Sequence, residues 1–504
     1  MKKKPKLFAA IDVGSYELSM KIYEIAGGKE WKQIDYIRHR IDLGTESYSR
    51  GILSYERMEE LCHILREFKG IMDSYRVDDY KAYGTSAVRE LKNTMIVLDQ
   101  IRTQTGLDIE VLSNSEQRYL DYKSVASAGY GFEEIIEKGT VILDIGGGSI
   151  QLSLFDKDTL ITTQNIRLGV FRLKDQLNEI GAKPSHTVSL LEEMINDQLS
   201  VFKKLHVKDR EIHNIIVVDD YVSTTLCKYR EKDSNPAGYL SRNTFEKLME
   251  EKFMKEMTGS VIISSQLIKC TMETLGAGYL WAPGVTLCDG IAYDYAVNNK
   301  LISAKHDFEQ DIAACAKNIS NRYQGSRKRG EALEKLAISI FDATKKLHGL
   351  GKRERLFLRI AAILQDCGRY VSLTQVGECS YHIVMNTEII GLSHAERGMV
   401  ANIVKFNHEE FTYYNELANS TAIDRDEYLI IAKLTAILRL ACALDSSHKQ
   451  KFTNVKVSLE DNNLILRVDT DKNIELEKGL FDSKVKFFEE VYNVQPVLKQ
   501  KRRI

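Results

Sequence analysis

Two stretches of this sequence decide the fold, A-I-D-V-G-S at residues 10–15 and L-D-I-G-G-G-S at residues 143–149. Each follows a short apolar run and precedes a run of alternating apolar and polar residues, which predicts a strand–turn–strand hairpin. Three consecutive glycines are costly unless something needs the uncovered backbone, and such turns can point several N–H groups at one anion. We therefore expect two related half-domains, each with an anion-binding turn beside an aspartate, Asp12 or Asp144.

The order of predicted elements divides the chain into four regions. Strands and helices alternate twice over, each time opening with a strand, an aspartate-containing turn and a second strand, which indicates an α/β architecture. The last strand expected in this part lies at 284–287. Helical periodicity then takes over, and strands return near the C-terminal end. The predicted regions are a first lobe at 1–128, a second lobe at 129–303, a helical domain at 304–450 and a small α+β tail at 451–504.

The composition gives no sign of a nucleic-acid or membrane partner. Charged residues make up 28% of 504 residues, but the formal net charge is −1, so a polyanionic substrate would need a local basic groove. No run of about 18 apolar residues occurs, and the basic start reaches Asp12 before a signal-sequence core could form. Eight scattered cysteines without a C-x-x-C pair predict free thiols and a cytoplasmic location.

Two further stretches follow predicted strands and carry candidate site residues. In Y-G-T-S-A-V-R-E at 83–90, a Thr/Ser turn leads into a helix, and Arg89 offers a bidentate fork for phosphate. In L-S-N-S-E-Q-R at 112–118, Glu116 falls in the first turn of a helix. Taken alone, each has an ordinary alternative, Arg89 as a surface arginine and Glu116 as a residue that caps its helix.

Taken in order, these stretches resemble the exopolyphosphatase and guanosine-pentaphosphate phosphatase (Ppx/GppA) family, as does R-L-G-V-F-R-L at 167–173. The resemblance implies two actin-like (ribonuclease H-like) half-domains around an interdomain cleft, then an all-α HD-like domain and a small α+β tail. It spans nearly the whole chain. The C-terminal stretches that carry it are L-H-G-L at 347–350, A-A-I-L-Q-D-C-G at 361–368, L-R-L-A-C-A-L-D-S-S-H at 438–448 and F-E-E-V-Y-N-V-Q-P-V-L-K at 488–499.

The resemblance also implies a reaction. The family removes the terminal phosphate of inorganic polyphosphate, or the 5′-phosphate of guanosine pentaphosphate, with Mg²⁺ or another divalent cation. The resemblance also implies a homodimer. Glu116 matches the general base on the attacking water, Asp144 matches the metal-associated carboxylate, and Asp12 is a second candidate metal ligand. Such chemistry needs charge neutralisation, positioning and a base rather than a covalent catalyst. The positions that match phosphate-binding residues are Gly14, Ser15, Arg89, Gly147, Gly148 and Ser149.

Several positions of the two lobes depart from the family pattern. Tyr16 and Glu17 follow the first turn, where the family has an asparagine and a small polar residue. Gln151 replaces a glutamate whose charge would help to hold the metal. Asp219 and Asp220 stand where a third glycine-rich stretch is expected, and two carboxylates there would repel a polyanion.

Other departures affect the later part of the chain. L-C-D-G at 287–290 lacks an arginine of the family. In the helical domain, Gln365-Asp366 replaces a metal-binding His-Asp pair, and Cys442 stands where a metal-binding aspartate would be. A second metal site is therefore not expected in this domain.

We expect an exopolyphosphatase, and two alternatives stay open. A regulatory protein that binds polyphosphate or a guanosine polyphosphate without turning it over would account for Gln151, Tyr16 and the aspartate pair. A guanosine-pentaphosphate 5′-phosphatase would use the same cleft. A kinase is disfavoured because D-D-Y-V-S-T at 219–224 lacks the glycines that would let a nucleobase lie close to the backbone.

Overall fold

The chain divides into two compact units, Met1–Asp307 and Phe308–Ile504. Among the described residues, no helix is both long and apolar enough to cross a membrane. Asp220 lies outside the residues that the structure describes. The computed structural model describes residues 5–26, 31–128, 131–181, 183–219, 221–229, 239–253, 259–304, 306–420, 423–452, 455–460 and 462–501.

Five strands form the sheet of the first lobe. They are β1 (Lys6–Val13), β2 (Glu17–Ile25), β3 (Trp31–Arg40), β4 (Asp79–Gly84) and β5 (Glu110–Val111). The strand order is β3-β2-β1-β4-β5. The pairs β1–β2 and β2–β3 are antiparallel, whereas β1–β4 and β4–β5 are parallel.

Six strands form the sheet of the second lobe. They are β6 (Thr140–Ile145), β7 (Ile150–Asp156), β8 (Thr159–Ile166), β9 (Asn214–Asp219), β10 (Tyr239–Ser241) and β11 (Tyr279–Trp281). The strand order is β10-β11-β9-β6-β7-β8. The pairs β6–β7 and β7–β8 are antiparallel, whereas β6–β9 and β9–β11 are parallel.

The two sheets share one topology, which confirms the prediction of two related half-domains. In each, a three-stranded antiparallel meander is extended by two parallel strands on the side of its first strand, and the second sheet adds β10 antiparallel to β11 at its edge. Asp12 and Asp144 are the penultimate residues of the two first strands, β1 and β6. Their cross-strand partners also correspond, because Asp12 pairs with Ser19 and Asp144 pairs with Gln151.

Helices cover both sheets with apolar faces. The first-lobe core joins strand residues such as Ile11 to Leu61 and Phe68, and the second-lobe core joins Val141 to Leu199. The helices of the first unit are α1 (Leu43–Arg50), α2 (Tyr55–Tyr75), α3 (Ser86–Arg89), α4 (Thr94–Thr105), α5 (Asn114–Ser127), α6 (Phe132–Ile136), α7 (Val170–Ile180), α8 (Thr187–Phe202), α9 (Ser223–Leu226), α10 (Arg242–Leu248), α11 (Gly259–Leu275) and α12 (Leu287–Asn298).

Helix α12 packs on the first sheet rather than the second. The ring of Tyr295 stacks on Phe8 with centroids 3.9 Å apart, and Gly290 lies so close to the Leu120 carbonyl that a Cβ would clash. The strand predicted at 284–287 is wrong, because a capping box between Thr286 and Asp289 starts a helix there. We therefore propose that 287–298 belongs structurally with the first lobe.

The second unit is a helical array followed by a small sheet. Its sheet has the order β12-β13-β14, with β12–β13 antiparallel and β13–β14 parallel. The elements are α13 (Phe308–Arg322), α14 (Arg327–Ala343), α15 (Lys345–His348), α16 (Lys352–Leu364), α17 (Val376–Met385), α18 (His394–His408), α19 (Tyr414–Ser420), α20 (Arg425–Ala443), β12 (Val455–Glu460), β13 (Asn463–Asp469), α21 (Glu475–Tyr492) and β14 (Gln495–Lys501).

Candidate active site

The ends of β1 and β6 face a cavity inside the first unit. Its volume is about 40 Å³, and residues of both lobes line it, among them Asp12, Ser15, Arg118, Asp144 and Gly147. Ligands of α/β sheets bind outside the carboxyl ends of the strands. This cavity is therefore the candidate active site, and it brings together predicted residues from positions far apart in the sequence.

Asp12 presents an unpaired oxygen to this cavity. The residue is 8% exposed, and its Oδ1 has no hydrogen-bond partner among the residues that the structure describes. Burial, together with the negative charge of Glu17, raises the pKa of this carboxyl to about 7. Because a buried anionic oxygen without a donor is costly, a cation would be stabilised here.

Three carboxylates and one guanidinium form the cleft cluster, which consists of Asp12, Asp121, Asp144 and Arg118. Arg118 forms an ion pair with Asp144 Oδ1, and its Nη1 lies 4.0 Å from Asp121 Oδ2. Burial and then the charge of Asp144 raise the pKa of Asp121 well above its usual range. Asp121 and Asp144 also lie within hydrogen-bonding reach of each other, and Asp144 Oδ2 is a buried oxygen that accepts from no N–H or hydroxyl group within the described ranges. The cluster thus sets one permanent cation against three acidic groups.

The glycines of the second turn fit around the protein's own side chains. A Cβ at Gly147 would lie 2.9 Å from the Phe171 ring, 3.0 Å from the Tyr48 hydroxyl and 3.1 Å from Ser15 Cβ. The bare backbone is needed for close approach, and residues of both lobes meet at this turn.

The two turns are closed by the same backbone hydrogen bond. The Gly14 N–H donates to the Glu17 carbonyl at 3.1 Å, and the Gly146 N–H donates to the Ser149 carbonyl at 3.0 Å. Beyond these closing bonds, the N–H groups of Gly147, Gly148 and Ser149 donate in none of the backbone hydrogen bonds of the described turns and loops. The second turn therefore keeps donors available for an anion.

Three hydroxyls connect the turns. Ser15 Oγ lies 2.8 Å from the Tyr48 hydroxyl and 2.9 Å from Ser86 Oγ, and the Tyr48 hydroxyl lies 2.8 Å from Ser86 Oγ. Each of these groups can donate as well as accept, so the triangle can reorient toward a bound phosphate oxygen. Ser15 thus stands between the cavity and the tyrosine that packs on the second turn.

Arg89 follows Ser86 of the cavity wall on the short helix α3, but it is not among the residues that line the cavity and is held by the first lobe. Its guanidinium donates to the Leu112 carbonyl and to Asn114 Oδ1, both at 2.5 Å. Burial and the positive charge of Arg118 lower the pKa of Arg89 to about 10. The two arginines are therefore close enough to influence each other, which the spacing of the sequence motifs did not indicate.

Glu116 and its neighbour Gln117 point to different places. The Glu116 carboxylate accepts from the Ser113 N–H at 2.9 Å and from Ser113 Oγ at 2.6 Å, which closes a capping box at the start of α5. It is not among the residues that line the cavity, whereas Gln117 is. Gln117 Oε1 is buried and has no hydrogen-bond partner in the described part of the chain. Glu116 thus lies close enough to Arg89 for its charge to act on that residue, but its carboxylate is held at the start of α5 and does not line the cavity.

The departures at 151 and 219 take structural roles. Gln151 donates to Thr163 Oγ1 of the neighbouring strand. Asp219 accepts from the N–H groups of Val222 and Ser223, at 3.1 and 2.6 Å, and from the Ser264 hydroxyl. The expected repulsion of a polyanion by Asp219 is therefore weakened, because donors surround the carboxylate.

In the second unit, arginines accompany the carboxylates of the helical cluster, which consists of Asp366, Asp445, Arg329 and Arg369. Arg329 forms an ion pair with Asp366 Oδ2 and donates to Asp445 Oδ2 at 3.2 Å, while Arg369 donates to Asp366 Oδ1 at 2.8 Å. Asp445 Oδ1 accepts from the Gln450 N–H at 2.8 Å. Every carboxylate oxygen here has a protein partner.

Sequence reasoning missed Gln117, Arg118 and Asp121 as cavity residues. The available signal was their spacing, because residues three and four apart lie on one face of a helix. That face turns toward the ends of β1 and β6 only in the folded unit, so the spacing alone could not identify their partners.

The cleft cluster fits a hydrated divalent cation. Within the described residues, no group of three or more His, Cys, Asp or Glu side chains is arranged to hold a metal ion. Mg²⁺, however, is commonly bound through one or two carboxylates, with water and substrate phosphates completing its shell. The unpaired oxygens of Asp12 and Asp144 meet that smaller requirement.

Comparison with known proteins agrees with this architecture. Residues 21–262 match the Ppx/GppA phosphatase family, and residues 313–486 match Ppx/GppA phosphatase, domain III. The chain is 22% identical to guanosine-5′-triphosphate,3′-diphosphate pyrophosphatases of Aeromonas hydrophila, covering 86% of this chain and 87% of that one, and of Vibrio atlanticus, covering 92% of each. An exopolyphosphatase from Cytophaga hutchinsonii has a similar fold, with a TM-score of 0.50 and 20% identity over 59% of this chain and all of that one.

Proposed function

This chain belongs to the Ppx/GppA phosphatase family, and we propose that it releases terminal orthophosphate from inorganic polyphosphate. The observation that carries the proposal is the excess of carboxylates beside a turn with free N–H groups. Buried carboxylates without partners are costly, and a cation bound there would lie next to an anion-binding backbone. A phosphoanhydride substrate together with its divalent counter-ion provides that combination of anion and cation.

Mg²⁺, or another divalent cation, would be held by Asp12 and Asp144. When bound, it would neutralise the charge that develops on the transferred phosphoryl group. The terminal phosphate would accept hydrogen bonds from the N–H groups of Gly147, Gly148 and Ser149. Ser15 would donate its hydroxyl, and Gly14 would fix the shape of the first turn.

Arg89 would complete phosphate binding. Its guanidinium now bonds Leu112 and Asn114, so it holds the loop before α5 and lies near the cavity. Guanidinium groups bind phosphate oxygens through paired N–H donors, which makes Arg89 suited to a second phosphate along the chain.

In this arrangement, Gln117 would orient the attacking water. A loose phosphoryl-transfer transition state needs an oriented water more than a strong base, and a glutamine side chain can supply the acceptor. Gln117 Oε1 is buried at the cavity without a partner among the described residues. Glu116, the base implied by the family resemblance, would act only if its carboxylate left Ser113.

A guanosine-pentaphosphate 5′-phosphatase is the second candidate. The curated relatives at 22% identity are named guanosine-5′-triphosphate,3′-diphosphate pyrophosphatases. A non-catalytic binder is the third, supported by the neutral side chains of Gln117 and Gln151. A homodimer and an HD-like second unit remain predictions from the family resemblance, and a cytoplasmic location remains a prediction from the free cysteines.

The test is phosphate release from long-chain polyphosphate and from guanosine pentaphosphate with Mg²⁺, comparing Gln117→Ala with Glu116→Gln. We expect polyphosphate to be the better substrate. Gln117→Ala should lower the rate by about 10²-fold, whereas Glu116→Gln should change it less than about threefold. A loss of about 10²–10⁴-fold in Glu116→Gln would return the base role to Glu116.

Phosphate release and thermal stabilisation of the unmodified protein distinguish the remaining candidate functions. Faster release from guanosine pentaphosphate would select the second candidate. Thermal stabilisation by polyphosphate without phosphate release, across metals and chain lengths, would select the binder.

A further inference from the structure

Arg118 lies where the cleft would otherwise need a bound cation. Its side chain is 4% exposed and forms an ion pair with Asp144 Oδ1. The same guanidinium reaches the second turn, because Nη2 lies 3.4 Å from the Ser149 carbonyl and a Cβ at Gly146 would lie 3.1 Å from Nη2. The positive charge therefore stands between Asp144 and the backbone proposed to bind phosphate.

This guanidinium has a hydrogen-bond donor that no described residue of the protein accepts. Arg118 Nε is buried and has no hydrogen-bond partner among the described residues. Arginine is always charged and offers a rigid fork of donors to phosphate oxygens, which a carboxylate partner satisfies only in part. Arg118 thus retains donor capacity at the wall of the cavity.

The ion pair also limits what Asp144 can give to a metal. One oxygen of Asp144 faces the guanidinium, and the other accepts from no N–H or hydroxyl group in the described chain, although the Asp121 carboxyl lies within hydrogen-bonding reach of Asp144. A divalent cation would find one free oxygen on Asp144 and one on Asp12, beside a positive charge that repels it. Metal affinity in the empty cleft should therefore be low.

We propose that Arg118 is a built-in cation that lets this cleft bind the terminal phosphate without a divalent metal, so that the metal is needed for hydrolysis but not for binding. The proposal rests on the proposed function, because it concerns the same phosphate site. Arg118 acts as a positioning residue: it supplies charge at Asp144 and orients the phosphate toward the free N–H groups of the second turn.

The experiment is calorimetric titration of the full chain with inorganic tripolyphosphate, in EDTA and in Mg²⁺. The unmodified protein should bind with dissociation constants within about threefold of each other in the two conditions. Arg118→Gln should bind at least about 10-fold more weakly in EDTA and recover in Mg²⁺, because a charged hydrogen bond is lost and a metal can replace it. Arg118→Lys should retain part of the binding in EDTA.

Metal binding provides a second readout that needs no substrate. Mn²⁺ followed by electron paramagnetic resonance should bind Arg118→Gln about 10-fold more tightly than the unmodified protein, since Asp144 is freed. Arg102→Gln, at an exposed arginine of the first lobe paired with Asp99, is the matched control and should change neither readout. Circular dichroism identifies a variant that has not folded, in which case Arg118→Lys carries the comparison.

Three outcomes would overturn the proposal. Tripolyphosphate binding by the unmodified protein only in Mg²⁺ would show that Arg118 does not replace the metal. Equal binding of the unmodified protein and Arg118→Gln in EDTA would show that the guanidinium does not contribute. Absence of binding in both conditions would overturn the proposed function as well, which separates the two failures.

Discussion

Each of the two units places an arginine among buried carboxylates, Arg118 in the cleft cluster and Arg329 in the helical cluster. In the helical cluster, Arg329 and Arg369 face two aspartates, and every carboxylate oxygen has a partner. In the cleft cluster, one arginine faces three aspartates, and two buried oxygens have no partner among the described residues.

The difference separates a structural ion cluster from a candidate site. A cluster in which charges balance and every carboxylate oxygen has a partner gains nothing from a bound cation and holds helices together. An unbalanced one keeps part of the desolvation cost of its carboxylates and is stabilised by any cation that reaches it. An arginine among aspartates therefore completes the helical cluster, whereas in the cleft cluster it leaves carboxylate oxygens that can bind a cation.

The largest expected difference between the two clusters is the effect on phosphate release of neutralising one aspartate in each. Asp144→Asn should lower phosphate release by 10²-fold or more, because the carboxylate proposed to hold the cation is gone, a loss of several kcal/mol in the transition state. Asp366→Asn should leave phosphate release unchanged below its unfolding temperature. Both variants are compared in initial rates with saturating polyphosphate and in thermal unfolding.

The two variants should also differ in stability. Asp366→Asn leaves Arg329 and Arg369 short of a partner and should lower the unfolding temperature, whereas Asp144→Asn removes an excess negative charge and should lower it less. Loss of phosphate release in Asp366→Asn at temperatures where the chain is folded would contradict the assignment of the helical cluster to structure.

A second test removes the arginine from each cluster. Arg329→Met should destabilise the protein by about 3–5 kcal/mol, because it leaves Asp445 buried without its cation and Asp366 with Arg369 alone. Arg118→Met should cost less in Mg²⁺ than in EDTA, because a cation can take its place only in the unbalanced cluster. Denaturant unfolding with and without Mg²⁺ measures both effects, and recovery of Arg329→Met by Mg²⁺ would make the two clusters equivalent.

The sequence predicted the elements whose signals are local. A serine before a run with helical periodicity is such a signal, and the structure begins α2 after Ser54, whose side chain accepts from the Arg57 N–H. The repeated aspartate turns indicated two half-domains, and the two sheets have that topology. Strand β3 was missed because it is largely exposed and lacks a clear apolar face.

The composition of the site was harder to predict because it depends on which neighbours the fold supplies. Glu116 and Gln117 are adjacent in sequence, yet one closes a capping box and the other lines the cavity. Arg118 meets Asp144 only when α5 packs beside β6, and the packing of Tyr48 on Gly147 also joins distant segments. Motifs therefore located the cleft, whereas the balance of charge within it required the structure.

The smallest expected effect is the pH dependence of stability that a histidine gives to the helical cluster. His408 donates to the Gln365 carbonyl at 2.6 Å and lies 3.8 Å from Asp366, at the edge of the helical cluster. Burial, together with the charges of Arg369, Arg329 and Lys484, lowers its pKa from 6.5 to about 4. The unfolded chain then binds a proton on this histidine between these values while the folded chain does not, so stability is lost as pH falls from 6.5 toward 4.

His408 should account for a stability loss on the order of 3 kcal/mol at most across this window, at about 1.4 kcal/mol for each unit of pKa shift. His348 and His448 also have pKa values lowered by burial, so the measurement is the difference between the unmodified protein and His408→Asn in denaturant unfolding at several pH values. We expect the difference to shrink as pH falls, because asparagine keeps a donor without titrating. A constant difference would mean that the balanced cluster tolerates an added proton, and the contrast with the cleft cluster would then rest on its hydrogen bonds alone.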